Sequence, residues 1–397
     1  VRFAAKIAVD PVFVGPDDPL ALGMVDALED AGIRAFGPRK AAARLESSKA
    51  FAKAFMQRHG IPTAAYRAFT DEGEAIAYIE GQGAYPCVVK ADGLALGKGV
   101  IIAADAGEAC AAVRSIMSGG AFGSAGDTVV VEEFLTGREV TVLAFTDGHC
   151  LRALPSSQAH KRALDGDRGP NTGGMGAFAP SPAYTPEVAR SCEERIFGPT
   201  LAALKEEGIA FKGILYFGLM LTGGGPKLVE YNARFGDPEA QAVLPLLKTD
   251  LLDIVEAVID ERLDCLDIKW ENKYSACIVA ASGGYPGQYA KGREISLPGF
   301  PAAGPGALGA IGEAGSRAGA NSGSGVDAAA ADGGAGGCVV FHAGTAVKDG
   351  RLLTSGGRVL GVSALGGTLG EAVANAYAGI GKVSFEGMFY RSDIGKR

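Results

Sequence analysis

The feature that most constrains the fold is an apolar segment, residues 228–239, that carries polar side chains at every second position. Successive side chains of a strand point to opposite faces, so Glu230, Asn232 and Arg234 share one face. Apolar neighbours such as Tyr231 indicate a core strand, whose polar face should line a site. A solvent-facing strand with an ion pair is the alternative, and the apolar neighbours favour the site.

The polar residues of this strand suit phosphate chemistry with a divalent cation. Glu230 and Asn232 offer the hard oxygen ligands that Mg²⁺ takes in proteins, usually together with substrate phosphates. Arg234 can offset the charge of a transferring phosphoryl group or of an acyl phosphate. The sequence therefore predicts a metal and phosphate site here.

A glycine-rich hairpin at residues 88–100 is the second candidate site. Its two lysines and three glycines are Lys90, Gly93, Gly97, Lys98 and Gly99. Glycine lets backbone N–H groups approach phosphate oxygens, and lysine supplies positive charge. The order of residues is neither a Walker A loop nor a Rossmann fingerprint. Phosphate binding is favoured, with an ordinary glycine hairpin as the alternative.

The third candidate is an apolar strand, residues 129–135, with an unusual end. It finishes on two acids, an aromatic residue and a leucine, namely Glu132, Glu133, Phe134 and Leu135. Such a segment can present backbone groups and apolar walls to a purine ring, and the following Glu139 could bind ribose hydroxyls. Taken alone, an edge strand with solvated acids is the favoured interpretation.

Residues 155–182 form a long polar and glycine-rich segment, and loops of this length are often functional. The segment contains a basic triplet, His160, Lys161 and Arg162, and a glycine-rich run that includes Asn171, Thr172, Gly173, Gly174 and Met175. These residues suit an anionic substrate, although a solvated loop is the alternative. The role of His160 stays open.

Composition excludes several classes of protein. The net charge is −7 and no dense Lys/Arg tract occurs, which disfavours a nucleic-acid partner. No apolar run reaches the ~20 residues of a membrane span, and no signal peptide begins the chain. The seven cysteines are odd in number and none has CxxC spacing, which disfavours a disulfide framework or a zinc site. We therefore expect a cytoplasmic protein without a membrane partner.

Taken in order, these segments resemble the ATP-grasp superfamily over about residues 47–250. The resemblance implies two α+β lobes with ATP between them. Lys49 and Lys90 would contact ATP, and the glycine-rich loop with Gly93, Gly97, Lys98 and Gly99 would cover its phosphates. Residues 132–135 would hold the adenine, and Glu139 the ribose. Glu230 and Asn232 would bind Mg²⁺, with Mn²⁺ as a substitute.

Within that superfamily the chain resembles the phosphoribosylamine–glycine ligases of purine synthesis, through residues 90–95, 160–162, 169–176, 232–239, 283–287 and 341–345. The resemblance implies that glycine and 5-phosphoribosylamine are joined through glycyl phosphate. It implies catalytic roles for Arg234, Lys161 and Asp237, and substrate binding by residues 171–175. A monomer or a homodimer is expected.

The resemblance has departures. The GNGGREHA turn that begins the family is not found, and Ala159 stands where the family usually has an acid. Two alternatives follow: another ATP-grasp ligase, such as a biotin carboxylase or a D-alanine ligase, or an ATP-binding module without turnover. Residues 215–219 lack the acidic metal ligand of those other ligases, which favours the glycine ligase.

The fold class expected is α/β and α+β multidomain, with an ATP-grasp fold at its centre. Residues 1–46 would be a truncated parallel α/β domain, since residues 12–38 read as strand, helix, strand. Residues 47–262 would form the ATP-grasp domain, and residues 263–397 a strand-rich C-terminal α+β domain. Within the last, the glycine- and alanine-rich residues 302–337 have few large apolar side chains and predict a surface insertion.

Overall fold

The protein is represented by a computed structural model that describes residues 1–94, 99–120, 123–298 and 337–396. Its contacts divide the chain into two compact units that do not follow chain order. Unit 1 contains residues 1–158, 180–236 and 247–270, and unit 2 contains residues 159–179, 237–246 and 271–397. The predicted insertion at 302–337 lies, except for Gly337, outside the described residues. The three sequential domains expected from the sequence remain a prediction.

Unit 1 begins with a small parallel α/β element. Strand Val12–Phe13 pairs in parallel with Ala35–Phe36. The sequence predicts one helix between them, but the chain forms two, Asp17–Leu22 and Met24–Glu29. They separate at Gly23, whose φ of 91° is left-handed and ends the first helix.

Unit 1 also contains two antiparallel sheets and a series of further helices. The α-helices are Arg2–Lys6, Lys40–Ser47, Lys49–Arg58, Glu72–Gln82, Ala106–Met117, Pro186–Cys192, Gly198–Glu206 and Leu251–Ile259. Glu193–Phe197 forms a π-helical turn, and Gly123–Gly126 and Leu263–Cys265 form 3-10 turns. Pro186–Cys192 begins as predicted, because the Thr185 hydroxyl accepts from the Val188 N–H and proline occupies the first turn.

The first sheet of unit 1 has four strands in the order Tyr66–Phe69, Val129–Glu133, Cys87–Ala91 and Val100–Ala103. One face is apolar and packs against the helices Glu72–Gln82 and Ala106–Met117. Lys90 and Glu132 lie on the other face: Lys90 is opposite Val130, and Glu132 is opposite Val88, two residues before Lys90.

The second sheet also has four strands, in the order Gly225–Asn232, Gly213–Thr222, Arg138–Thr146 and Leu151–Ala153. Leu215, Phe217 and Leu219 point into the largest core cluster, where they meet Phe55 of helix Lys49–Arg58. Because strand residues alternate, the opposite face carries buried apolar residues such as Phe145 and Leu143 together with the polar residue Thr141.

Unit 2 is organised around a six-stranded sheet. Its strands run in the order Cys338–His342, Arg358–Gly366, Tyr274–Ser282, Gly176–Ala179 and Gln158–Ala159. The chain enters this unit at Gln158–Ala159, which is an edge strand. Met388–Phe389 also pairs with Tyr274–Ser282. Helix Leu369–Ile380 packs on it through Ala372, Ala376 and Ile380. The remaining elements are hairpin Arg162–Leu164 with Arg168–Asn171, hairpin Thr345–Lys348 with Arg351–Thr354, helix Glu239–Val243 and 3-10 turn Leu244–Leu246.

The prediction that residues 155–182 form a loop is wrong in part. Four short strands lie in this segment, and Gly176–Ala179 is buried along its whole length. Its partner is Tyr274–Ser282, about a hundred residues later in the chain. Because the partner strand is distant in sequence, the segment itself shows no alternation of apolar and polar residues. Its glycine and proline residues therefore led to the prediction of a loop.

Candidate active site

Helix Lys49–Arg58 presents its first lysine to the glycine-rich hairpin. Ser48 caps the helix by accepting from the Phe51 N–H at 3.1 Å. Asp92 reaches the same helix end, accepting from the Ser48 hydroxyl at 3.1 Å and from the Ala50 N–H at 3.0 Å. A carboxylate is favoured there because helix N-terminal N–H groups are free and carry partial positive charge. Lys49 is thereby directed towards the hairpin.

Lys49 donates to the carbonyl oxygen of Gly93 at 2.8 Å. Burial lowers the pKa of Lys49, the Glu230 carboxylate opposes that effect, and the Lys90 ammonium adds to it. Lys49 therefore lies within electrostatic range of both Lys90 and Glu230. The structure brings these three predicted site residues together.

Gly93 has a structural reason to be glycine. Its φ is +132°, and a Cβ at this position would lie 2.7 Å from the Cβ of Ala125. Gly99, at the other end of the loop, accepts from the Ala91 N–H at 2.8 Å. Gly97 and Lys98, also predicted to bind nucleotide, lie outside the described residues.

Glu132 forms a buried charge cluster with two lysines. Lys90 Nζ lies 2.8 Å from Glu132 Oε1, and Lys53 Nζ lies 3.0 Å from Glu132 Oε2. The three side chains are 5%, 2% and 3% exposed for Lys90, Lys53 and Glu132. Burial lowers the pKa of Lys53 to about 8, with Glu132 opposing the shift. The Glu132 carboxylate is thus a structural ligand of Lys90, and only its backbone is left for an adenine.

The rest of the predicted adenine segment follows this strand. The Glu133 carboxylate is 47% exposed and accepts from the Ala65 N–H at 3.2 Å and from Lys227 Nζ at 3.3 Å. Phe134 and Leu135 are half-buried. The Glu133 side chain therefore serves local structure, while Phe134 and Leu135 offer partly accessible apolar surface.

Glu230, Asn232 and Glu139 lie on one face of the second sheet. Glu230 is opposite Gly218, which is opposite Thr141, while Glu139 is two residues before Thr141. Gly218 makes room for Glu230, since a Cβ there would lie 3.1 Å from Glu230 Cγ. The predicted metal ligands and the predicted ribose ligand thus share the polar face.

The strand reaches this arrangement through a β-bulge that the sequence did not predict. Leu228 pairs with Leu219 and Glu230 with Gly218, so Val229 is the extra residue. Without the bulge, Leu228 would share the face of Glu230. With it, Leu228 and Tyr231 both enter the core.

Arg234 follows the end of this strand and pairs with a buried acid. Arg234 Nη2 lies 2.8 Å from Glu46 Oε1, and Glu46 Oε2 accepts from the Ala233 N–H at 2.7 Å. Burial raises the pKa of Glu46, and Arg234 opposes that shift. The Arg234 side chain keeps 26% exposure, so its guanidinium is oriented by Glu46 and still accessible.

The donor set suits a magnesium ion. Within the described ranges, no group of three or more His, Cys, Asp or Glu side chains is placed to hold a metal. Mg²⁺ does not need such a cage, because it usually takes one or two protein ligands together with substrate phosphates and waters. Glu230 and Asn232 on one face, with Lys49 within electrostatic range of Glu230, fit that requirement.

The remaining predicted residues lie in unit 2 and build a rigid turn. Asn171 ends strand Arg168–Asn171, and the Thr172 N–H and hydroxyl both donate to the Lys161 carbonyl at 2.8 Å. The Gly174 N–H donates to the Thr172 hydroxyl at 3.0 Å. The Met175 side chain is fully buried, so this residue can offer a ligand only its backbone.

Gly173 and Gly174 permit close contacts that no other residue would allow. A Cβ on Gly173 would lie 2.8 Å from Arg358 Cζ, and one on Gly174 would lie 2.4 Å from Pro238 Cδ. Arg358 donates to the Gly173 carbonyl at 3.0 Å and forms an ion pair with Asp237 at 3.0 Å. Asp237 and the glycine turn, both predicted to act on substrate, are therefore held by one arginine.

Three residues of these arrangements were absent from the sequence predictions: Glu46, Lys53 and Arg358. Lys53 had a detectable signal, because it lies four residues after Lys49 in an otherwise apolar helix and so shares its face. For Glu46, the sequence offered no indication of its role other than its position among apolar residues. Arg358 had none, since it is more than a hundred residues from the turn that it binds.

Comparison with solved structures identifies the class of fold. A biotin carboxylase domain from Hydrogenobacter thermophilus is similar with a TM-score of 0.70, at 16% identity over 98% of this chain and 77% of that chain. At that identity the likeness concerns the fold alone, and the match of residues 47–240 to the ATP-grasp (A) domain of phosphoribosylglycinamide synthetase names that fold. The predicted fold is confirmed.

The family follows from sequence comparison. The phosphoribosylglycinamide synthetase N domain matches residues 1–46, the ATP-grasp (A) domain matches residues 47–240, and the C domain matches residues 320–397. The chain belongs to the phosphoribosylglycinamide synthetase family. The predicted family is confirmed.

Individual relatives support the same family assignment. The phosphoribosylamine–glycine ligase of Caldanaerobacter subterraneus subsp. tengcongensis is 45% identical over 99% of this chain and 86% of its own length. The crystal structure of that ligase from Thermotoga maritima is similar with a TM-score of 0.76, at 36% identity over 91% of this chain and 81% of that chain. The trifunctional purine biosynthetic protein adenosine-3 of Gallus gallus is 47% identical over all of this chain, which spans 36% of that protein's length.

A search for membrane spans among the described residues found no helix of sufficient length and apolar character.

Proposed function

We propose that this chain uses ATP to join glycine to 5-phosphoribosylamine, giving glycinamide ribonucleotide, ADP and phosphate in purine synthesis. The observation that carries the proposal is the convergence of Lys49, Lys90 and Glu230 in unit 1. This convergence supports a binding site for a nucleotide, in which Lys49 and Lys90 would contact the phosphates and Glu230 would bind the metal ion. The family match and the relatives named as phosphoribosylamine–glycine ligases support the choice of substrates.

The reaction has two steps. A carboxylate oxygen of glycine attacks the γ-phosphorus of ATP, the bond to ADP breaks, and glycyl phosphate forms. The amine nitrogen of 5-phosphoribosylamine then attacks the acyl carbon, phosphate leaves, and the nitrogen loses a proton. Such chemistry depends on positioning and on stabilisation of charge, so no nucleophilic side chain is needed.

The geometry of unit 1 supports a role for each predicted residue there. Lys49 and Lys90 bind phosphate oxygens, residues 132–135 bind the adenine and Glu139 binds the ribose. Glu230 and Asn232 would hold Mg²⁺ or Mn²⁺, which would neutralise phosphate charge. Arg234, oriented by Glu46, offsets charge on the acyl phosphate.

The proposed roles in unit 2 concern the substrates. Lys161 and the residues from Asn171 to Met175 contact them. We retain the predicted catalytic role of Asp237, whose carboxylate is paired with Arg358. A cytoplasmic location and a monomer or homodimer remain expectations.

The test is release of ADP by purified protein with ATP, Mg²⁺, glycine and freshly made 5-phosphoribosylamine, omitting one component at a time. ADP should appear only in the complete mixture. Glu230→Gln should lower turnover about a hundredfold or more, because a metal ion contributes several kcal/mol to transition-state stabilisation.

Glu206→Gln is the matched control, since that carboxylate is 77% exposed on a helix outside the site. It should leave turnover unchanged. Rapid ADP release without glycine, or a fully active Glu230→Gln enzyme, would contradict the proposal. Tight ATP binding with no product would favour the binding module.

A further inference from the structure

We propose that Lys53 is a positioning residue of the nucleotide site: by sharing Glu132 with Lys90, it holds the Lys90 ammonium in the orientation that meets a nucleotide phosphate. This inference rests on the proposed function, in which Lys90 binds ATP. Lys53 itself is 2% exposed, so it cannot reach a ligand and acts only through its neighbours.

The geometry divides the Glu132 carboxylate between two ammonium groups. Lys90 Nζ contacts Oε1 at 2.8 Å, and Lys53 Nζ contacts Oε2 at 3.0 Å. Each carboxylate oxygen thus faces a different ammonium group, so Glu132 bridges the two lysines and does not contact Lys90 through both oxygens. Loss of the Lys53 ammonium would free Oε2, and in a buried site the remaining opposite charges would attract each other more closely. Lys90 would then be drawn towards Glu132 and away from a phosphate.

Lys53 also connects the two strands on which the site depends. Its ammonium donates to the Thr63 hydroxyl at 2.8 Å, and that hydroxyl donates to the Leu228 carbonyl at 2.6 Å. Leu228 lies two residues before Glu230, on the same strand. One side chain thus links the strand of Glu132 with the strand of the proposed metal ligand.

A role in folding alone does not account for this arrangement. Replacing buried ion pairs by apolar residues of similar size is often neutral or stabilising. Helix Lys49–Arg58 is otherwise anchored by apolar residues, with Phe55 and Met56 completely buried. A lysine among them suits the orientation of charged groups rather than core packing.

The experiment compares Lys53→Met, Glu132→Gln and the double variant with the parent full chain. ADP is the probe, with Kd measured by calorimetry, and steady-state KM values are measured for ATP and glycine. Lys53→Met should weaken ADP binding and raise KM for ATP about tenfold, which corresponds to a loss of roughly 1.4 kcal/mol. KM for glycine should stay within twofold of the parent.

The double variant separates positioning from a general loss of charge. If Lys53 acts through Glu132, the double variant should lose much less affinity than the product of the two single losses, because the residues are coupled. Arg58→Met is the control: it lies on the same helix, its side chain is 49% exposed, and it pairs with Glu207. It should leave Kd for ADP unchanged.

A folded Lys53→Met protein with the parent's affinity for ADP would overturn the inference, as would strictly multiplicative losses in the double variant. If Lys53→Met does not fold, Thr63→Val carries the test, and an unchanged Kd for ADP in that variant overturns the inference. A parent protein that binds no ADP would instead refute the proposed function.

Discussion

The guanidinium of Arg358 binds the Asp237 carboxylate through two parallel contacts, Nη1 to Oδ1 at 3.1 Å and Nη2 to Oδ2 at 3.0 Å. Nη1 also donates to the carbonyl oxygens of Asp237 at 2.7 Å and Gly173 at 3.0 Å. A planar guanidinium suits this two-point geometry, which lysine cannot reproduce. The pair therefore fixes the position of the glycine turn.

Arg358→Lys should loosen that turn while keeping its charge. We expect KM for glycine or for 5-phosphoribosylamine to rise about tenfold, in line with the loss of a charge-assisted contact. Kd for ADP should not change, since the proposed nucleotide residues belong to unit 1. Arg351→Lys, whose side chain is 59% exposed, is the control. Unchanged KM values for both substrates would show that the turn does not depend on Arg358.

Titration of Lys53 should make the free energy of unfolding depend on pH above neutrality. Its pKa in the folded protein is about 8, below the ordinary 10.5, because burial outweighs the attraction of Glu132 and Glu230, and Lys90 adds repulsion. Between these values the unfolded chain binds more protons than the folded one, so the Lys53 contribution to unfolding free energy rises with pH. Below pH 8 this contribution is constant.

The measurement is the free energy of unfolding of the parent and of Lys53→Met from pH 7 to 10.5. The parent should gain stability relative to the variant as pH increases through this window. Nucleotide affinity of the parent should fall over the same window, because the Lys53 ammonium is lost. A constant difference in stability would mean that Lys53 does not titrate there.

Gly93→Ala should damage the hairpin through backbone strain and a steric clash. The added Cβ would lie 2.7 Å from the Cβ of Ala125, at a φ of +132° that alanine rarely adopts. We expect a loss of about 1–3 kcal/mol in unfolding free energy, together with weaker ADP binding. Gly81→Ala is the control, because nothing lies within 4 Å of its added Cβ. In that helix alanine should stabilise by about 0.5–1 kcal/mol.

Arg391 should be a large contributor to the stability of unit 2. Its side chain is fully buried and contacts Asp393 at 2.7 Å, Asp167 at 2.9 Å and the Arg162 carbonyl at 3.0 Å. Arg391→Met should cost about 1.5–3 kcal/mol, since it removes charge-assisted hydrogen bonds to the carboxylates of Asp393 and Asp167, whose side chains are 16% and 44% exposed. Denaturant unfolding measures the loss. Arg293→Met removes an exposed ion pair with Glu386, and should cost about 1 kcal/mol or less.

The acid partner of Arg391 makes the same region sensitive to low pH. Hydrogen bonding from Arg391 holds the pKa of Asp393 well below its usual range. The stabilisation is present above the ordinary carboxyl pKa and is lost as pH falls towards the folded value. Unfolding free energy measured from pH 6 to pH 3 should decrease less steeply for Asp393→Asn than for the parent. Equal slopes would contradict this assignment.

Much of the site could be predicted from local patterns. Lys90 lies in an apolar strand, and Glu230 and Asn232 alternate with apolar residues, so the sequence indicates both the elements and the chemistry expected of them. Local patterns failed where pairing is distant, as in the strands of residues 155–182. They also failed at Gly23, where one left-handed residue divides a helix that has a continuous apolar face.

The sequence by itself determined which chemical groups the protein has and in what order, including the lysines, the carboxylate with its amide, and the glycine turns. Residue type and short-range periodicity suffice for that, because strand alternation and turn preferences are local. Only the tertiary structure decided that Val229 forms a bulge, that Lys53 shares Glu132 with Lys90, and that Arg358 binds Asp237. Each of these depends on contacts between residues far apart in the chain, and burial sets the strength of the resulting charge interactions.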